Sequence, residues 1–265
     1  MGVLGSGLSG LGNVPTAGEP PGGAGGGGGL LSADDWVSGA RAYFQQRTGL
    51  PWWRIATMVA TDCCPVGTTV PTSLGFTAGG TGATGTVVYP ATPVHGTCGV
   101  VVSTSPSGGS GFSDFDSGGT PGFTSMNNIR DTPWAMFVRQ ACGKQPSANS
   151  SVSYGVFSGG YFGVGFAGAA PNWNYVSGSP PNNQVDLGVA IDFSGAVYET
   201  FMFANFDLVN LVCNARVEGV GVAAEQIVGP ATLLPAAAGR MYGRNSGLGS
   251  ADILNIDALA FFQGR

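Results

Sequence analysis

The residues able to do chemistry are few, and they stand apart from one another. His95 is the only histidine among 265 residues, and histidine is the side chain that most readily exchanges protons near neutral pH. It lies in TPVHGTC, a loop-like setting, and no GxSxG elbow precedes a helix to supply a serine partner. Cys98 follows closely but meets His95 only if the backbone curls tightly, so an ordinary loop histidine is expected. A glycosidase needs two carboxylates facing one cleft. The glutamates are Glu19, Glu199, Glu218 and Glu225, and no Glu-x-Asp-x-x-Glu run occurs. Asp192 and Glu199 flank the turn Ser194-Gly195, where a solvated hairpin pair is expected. Asp114 and Asp116 in SDFDSGG make half of an oxygen-rich calcium loop, with no acidic residue placed to complete it. Lys144 in ACGKQ lacks the GxxxxGK[ST] frame of a phosphate loop.

The cysteines Cys63, Cys64, Cys98, Cys142 and Cys213 are odd in number, with one adjacent pair, otherwise widely spaced and without CxxC. That pattern describes free thiols rather than a disulfide framework or a zinc site. The chain therefore reads as non-catalytic, with no metal and no cofactor. One segment suits binding instead. APNWNYVSGSPPNN places Trp173 and Tyr175 among asparagines, a loop that could stack a sugar ring or simply pack as a turn.

The composition points toward partners. Hydrophobic residues make up 43% but charged residues only 9%, against roughly 25% in typical soluble domains. Glycine is abundant at 47 residues, and Lys144 is the single lysine. A free monomer normally carries a charged coat that keeps it soluble. A chain without one hides its surface against neighbours or, as a low-charge secreted protein, relies on small polar residues. Net charge is −5, and Arg41, Arg54, Arg130, Arg139 and Arg216 are scattered, so no basic stripe offers itself to nucleic acid. No apolar run approaches the roughly 20 residues of a membrane helix, and no signal-peptide pattern opens the sequence.

The elements that must position these residues begin after a glycine-rich arm, residues 1–31. Glycine loses much backbone entropy on ordering, and the arm has few apolar side chains to offset the cost. It is expected to be held by a neighbouring subunit through Val3, Leu4, Leu8 and Leu11, or to fold back over its own domain. Residues 32–48 predict a helix: Ser32 caps it, Asp34 and Asp35 suit its first turn, and Gly49 with Pro51 ends it. Trp36, Val37, Ala40, Tyr43 and Phe44 form its apolar stripe. Trp36, Tyr43, Phe44, Trp52 and Trp53 are candidate subunit contacts. PWWRIATMVATDCC is open between strand and short helix.

Beyond residue 66 the pattern is of short β-branched and aromatic runs broken by turn residues. Candidate strands are 86–89, 99–103, 134–140, 151–157, 161–166, 185–193, 196–204, 208–217, 219–223 and 253–262. Turn signals at short intervals, without long intervening helices, predict an antiparallel β-sandwich of jelly-roll type. Residues 236–241 read as a helical turn. Residues 105–122 read as a low-complexity surface loop separating a module at 32–104 from the main sandwich at 123–265.

From Thr132 onward, TPWAMFVRQ, YGVFSGGYFGVGFAG, VDLGVAIDFSGAVYETFMFAN and ILNIDALAFFQ resemble strands of the laminin-G and concanavalin-A-like jelly rolls. The resemblance implies a fold that often binds carbohydrate, sometimes through calcium. The Gly/Ala/Thr/Ser bias, scarce lysine and terminal arm also resemble virion proteins of tailed bacteriophages. That resemblance implies a structural component located in a virion, such as a decoration, fibre or tail protein. Its partners would be copies of itself, other virion proteins and a host-surface glycan, with neither nucleic acid nor membrane. A glycan-binding module and a hydrolase of the same fold are the alternatives.

Overall fold

The computed structural model describes residues 33–61, 76–77, 86–88, 100–103, 111–116, 126, 128–142, 151–167, 172–178, 181–193, 198–217, 225–247 and 254–265. The arm residues Val3, Leu4, Leu8 and Leu11, together with Ser32, Cys63, Cys64, His95, Cys98, Lys144 and the expected strand at 219–223, lie outside them.

The helix α1 runs Ala33–Thr48. Gly49 closes it in the left-handed region (φ 65°), where a side chain would be strained, and its N–H bonds the Gln45 carbonyl at 2.9 Å. A short 3₁₀ turn, Trp52–Arg54, follows. The strands are β1 (Ile55–Thr61), β2 (Phe76–Thr77), β3 (Thr86–Val88), β4 (Val100–Ser103), β5 (Gly111–Asp116), β6 (Trp134–Cys142), β7 (Ser151–Phe157) and β8 (Tyr161–Ala167). They continue as β9 (Asn172–Gly178), β10 (Pro181–Ala190), β11 (Glu199–Asn205), β12 (Asn210–Val217), β13 (Gln226–Pro230), β14 (Arg240–Gly247) and β15 (Leu254–Gly264).

Two antiparallel sheets form the sandwich. One runs β13-β12-β11-β6-β15-β4-β3, with β1 beside the later part of β15; the other runs β10-β9-β8-β7-β14-β5-β2. Strands on both sides of residues 105–122 share these sheets, so the expected boundaries at 104 and 122 do not separate two sets of strands. Within that segment, Gly111–Asp116 is strand β5, paired with β14 and β2, where a loop was expected. Cross-strand partners far along the chain override its local glycine content. Likewise residues 240–247 are strand β14, not part of a helical turn, which is confined to Ala231–Leu233.

Alternation sorts the side chains into two layers. Between the sheets lie Trp134, Met136, Tyr154, Val164, Phe166, Trp173, Tyr175, Phe201, Phe203, Leu259 and Phe261, among others. Their rings interlock: Trp134 meets Phe203 at 4.9 Å between centroids, and Trp173 meets Phe201 at 5.4 Å. The opposite face of the first sheet packs Phe137, Met202, Ala204 and Phe262 under α1, against Trp36, Tyr43 and Phe44. β11 is buried along its whole length because it serves both layers. Trp36, Tyr43 and Phe44 are thus core residues of this chain, not contacts offered to neighbours. An amphipathic helix beside a sheet buries its stripe on that sheet first.

Candidate functional site

The outer face of the second sheet collects the part-exposed polar and aromatic groups. Register lines them into rows across neighbouring strands. One row runs Asp186 (β10), Asn174 (β9), Gly165 (β8) and Ser153 (β7). The next runs Gln184, Val176, Gly163, Gly155 and Tyr242 (β14). The third runs Gly178, Tyr161, Phe157 and Arg240. A polar row, a glycine row and an aromatic row therefore lie side by side.

Each row has a physical reason. A Cβ on Gly163 would land on the Tyr154 carbonyl oxygen, and one on Gly155 on that of Phe162, so only glycine allows this close strand approach. Gly155, Gly163 and Gly165 are themselves buried, as is Tyr242 at the end of the row. In the aromatic row, Tyr161 lies 4.8 Å from Phe157 and 4.9 Å from Tyr242 between centroids, and the Arg240 guanidinium sits 4.7 Å over the Phe157 ring. In the polar row, Asn172 Nδ2 donates to both Asp186 carboxylate oxygens (2.9 and 3.2 Å), and Gly188 N–H donates to one at 2.7 Å. The Gly188 and Asn172 donors hold the Asp186 carboxyl below its ordinary range. Asn174 Nδ2 donates to the Asn172 carbonyl at 2.8 Å. Asp186 and Gln184 are exposed and Asn172, Tyr161 and Phe157 part-exposed, while Asn174, Val176 and Ser153 are buried.

Trp173 and Tyr175 point the other way. They alternate with Asn172, Asn174 and Val176 along β9, and both are buried between the sheets. Neither offers a face to a sugar, which corrects the expectation of a stacking loop. The Trp173 indole N–H donates instead to Glu199 Oε2, and the Asp192 backbone N–H donates to Glu199 Oε1. Glu199 is 0% exposed, so the expected solvated pair with Asp192 is a buried carboxylate on the inner face. Burial pushes its carboxyl up to about 7, against the pull of its two donors.

Trp52 and Trp53 are 63% and 66% exposed, with rings 5.9 Å apart and nearly perpendicular. Among the described residues, the other exposed large apolar side chains are Ile227, Leu233, Val209, Leu208 and Val185, on β13, the 3₁₀ turn after it, the turn at 206–209 and β10. Leu208 holds φ 62° in that turn. Among the described residues, no cluster of His, Cys, Asp and Glu could hold a metal.

No family model matches this chain, and no curated protein does either. Among solved structures, the carbohydrate recognition domain of Emp47p superposes with a TM-score of 0.51 at 10% identity, covering 82% of this chain and 100% of that one. The fold is an antiparallel β-sandwich of jelly-roll type. Lectin II from Ulex europaeus aligns at TM-score 0.48 and 8% identity, over 78% of this chain and 98% of its own. The CBM2 module of the evolved Dit of Lactobacillus casei BL23 phage J-1 aligns at 0.47 and 8%, over 79% and 96%.

Sequence reasoning missed Asn172, Asp186, Gln184 and Tyr161. For Asn172 the signal was present in the period-two alternation of NWNYVSG, obscured by the flanking prolines, which read as loop.

Proposed function

We propose that this chain is a non-catalytic carbohydrate-binding jelly roll that reads a glycan on the outer face of its second sheet. The observation that carries the reading is the three-row arrangement. Aromatic rings at Tyr161 and Phe157 suit the apolar face of a pyranose. Amide and carboxylate groups at Asn172, Asp186 and Gln184 suit its hydroxyls. A short saccharide would meet the groups that solvent reaches, Gln184 and Asp186 of β10 with the part-exposed Asn172, Tyr161 and Phe157. The likeness to the Emp47p domain supports the fold on which such a face is built. A glycan array followed by isothermal titration tests it. Tyr161→Ala and Asn172→Ala should each weaken binding about tenfold or more, while Trp52→Ala leaves it unchanged. Absence of any glycan ligand for a folded protein would refute it.

A second reading is favoured by the exposed apolar residues: the chain is a component of a bacteriophage-type particle, where neighbours cover what water would otherwise touch. Trp52, Trp53, Val209 and Ile227, in a chain with 9% charged residues, support it. Sedimentation analysis should then find oligomers that Val209→Asp or Trp53→Ala dissociates; a monomer at high concentration would refute it.

A further inference from the structure

The first sheet ends along one rim, and its ladder fixes what stands there. Asn205 of β11 and Gln263 of β15 both face Trp134 of β6, Ile55 of β1 faces Gly264, and Asn210 of β12 faces Pro230 of β13. The turn at 206–209, the 3₁₀ turns Ala231–Leu233 and Trp52–Arg54, and the loop at 130–133 therefore leave the sheet at the same end. At about 4.8 Å per strand, β13 to β1 spans about 24 Å. Among the described residues, five of the seven exposed large apolar side chains stand on this rim: Leu208, Val209 and Leu233 at one side, Trp52 and Trp53 at the other. Hydrogen bonds hold both groups in place. Ala231 N–H donates to the Val209 carbonyl at 2.8 Å, and Asp207 Oδ1 accepts from the Val209 and Asn210 N–H groups at 2.9 and 2.8 Å. Beside the tryptophans, Arg54 Nε donates to the Arg265 carbonyl at 2.6 Å, and Arg265 N–H to the Arg54 carbonyl at 2.8 Å. The two groups also carry opposite charge, Asp207 with the aliphatic one and Arg54 with the aromatic one. Arg47 of α1, which covers Phe206, pairs with Glu225. Midway along the rim, Arg130 and Asp131 offset each other at 3.0 Å.

We propose that this rim joins two copies of the chain about a two-fold axis through the loop at 130–133, with Trp52–Arg54 of each copy seated on the 206–209 and 231–233 turns of the other. This rests on the assembly reading of the exposed apolar residues and names the partner and the pairing. A two-fold axis across the rim reverses its order. The aromatic group of one copy then meets the aliphatic group of the other, and Arg54 meets Asp207, each contact being made twice. At the axis, Arg130 of one copy comes beside Asp131 of the other. The rim thus supplies both halves of the contact, apolar against apolar and cation against anion, and exposed tryptophans with an adjacent arginine are the side chains that most often anchor such contacts. Joining the rims like to like would instead set Arg54 on Arg54 and Asp207 on Asp207, which like charges disfavour. The polar and aromatic rows of the second sheet lie on another face and take no part.

Sedimentation velocity on the full chain across a concentration series tests the contact, and should find a monomer–dimer equilibrium that stops at the dimer. Trp53→Asp and Val209→Arg, both at exposed positions, should each weaken the dimer about tenfold or more while leaving the urea midpoint of the monomer unchanged. An equal mixture of the two variants should recover the dimer, because the intact Val209 of one meets the intact Trp53 of the other and the two introduced charges pair. Asp207→Asn keeps the oxygen that holds its turn but removes the charge, and should weaken the dimer a few-fold and flatten its dependence on salt. Loss of the dimer in Trp53→Asp alone, with Val209→Arg unaffected, or growth past the dimer into longer chains, overturns the two-fold pairing. Oligomers that neither variant disturbs overturn the rim contact and leave the assembly reading standing. A monomer at every concentration overturns both. If acrylamide then fails to quench Trp52 and Trp53, a segment of the same chain covers the rim in place of a second copy.

Discussion

Replacing Glu199 by glutamine should change how stability depends on pH, and the size of the change follows from its burial. The carboxyl stands at about 7 in the folded chain against 4.5 when solvated. Between those values the folded state holds a proton that the unfolded state has lost, so stability falls as pH rises. The contribution is fully present below about pH 4.5 and gone above about pH 7. At about 1.4 kcal/mol per unit, the loss is about 3 kcal/mol. In E199Q that loss disappears. The variant carries a different cost, because Trp173 and Asp192 both present N–H donors and one now faces the glutamine NH₂. A donor left unsatisfied in the core costs about 1–3 kcal/mol. Urea denaturation at pH 5 should therefore find E199Q less stable than the parent, and by pH 8 the gap should narrow by about 3 kcal/mol or reverse. Other ionisable groups, Glu225 included, are common to both proteins and cancel in the difference. Parallel stability profiles across this range would refute the assignment of a buried, near-neutral carboxyl.

Gly163→Val should destabilise by more than about 2 kcal/mol in urea denaturation, since its Cβ would overlap the Tyr154 carbonyl and part β7 from β8. Phe203→Ala, which removes a fully buried ring packed on Trp134 and Tyr175, should cost about 3–5 kcal/mol by the same assay. Arg47→Ala should cost about 1–2 kcal/mol, because Arg47 pairs with Glu225 and covers the Phe206 ring at 4.5 Å. Cys213 is buried and its thiol pushed well up, so in mass spectrometry its peptide should resist iodoacetamide at pH 8 until urea unfolds the chain.

Much of the sandwich was legible from alternation. Strands β6, β7, β8, β11 and β12 lie close to where β-branched and aromatic runs placed them, and α1 begins and ends beside its capping signals. The strands that escaped had their information elsewhere. β5 is built from GFSDFD, whose glycine and aspartates favour a loop until β14 and β2 flank it. β9 carries a clean alternation but sits between Pro171 and Pro180-Pro181. The choice of face was harder still. Trp173 and Asn172 are neighbours, and only the register with β8 and β10 decides which of them meets solvent. The same holds for Glu199, whose turn-proximal position suggested water and whose parity with Phe201 and Phe203 put it in the core. Helix residues were assigned to neighbours because a sequence shows an apolar stripe without showing which surface receives it.

β15 is later in the chain than every other described strand, yet it lies inside the first sheet, between β6 on one side and β4 then β1 on the other. During synthesis, β6 and β1 therefore emerge long before the strand that joins them. Until it arrives, both have unoccupied backbone edges, and β1 must wait for a partner some two hundred residues downstream, with Ile55 finally opposite Gly264. Folding of that sheet is consequently a late event governed by long-range closure. Nascent chains halted before residue 254 should be the species most inclined to seek a strand from another molecule.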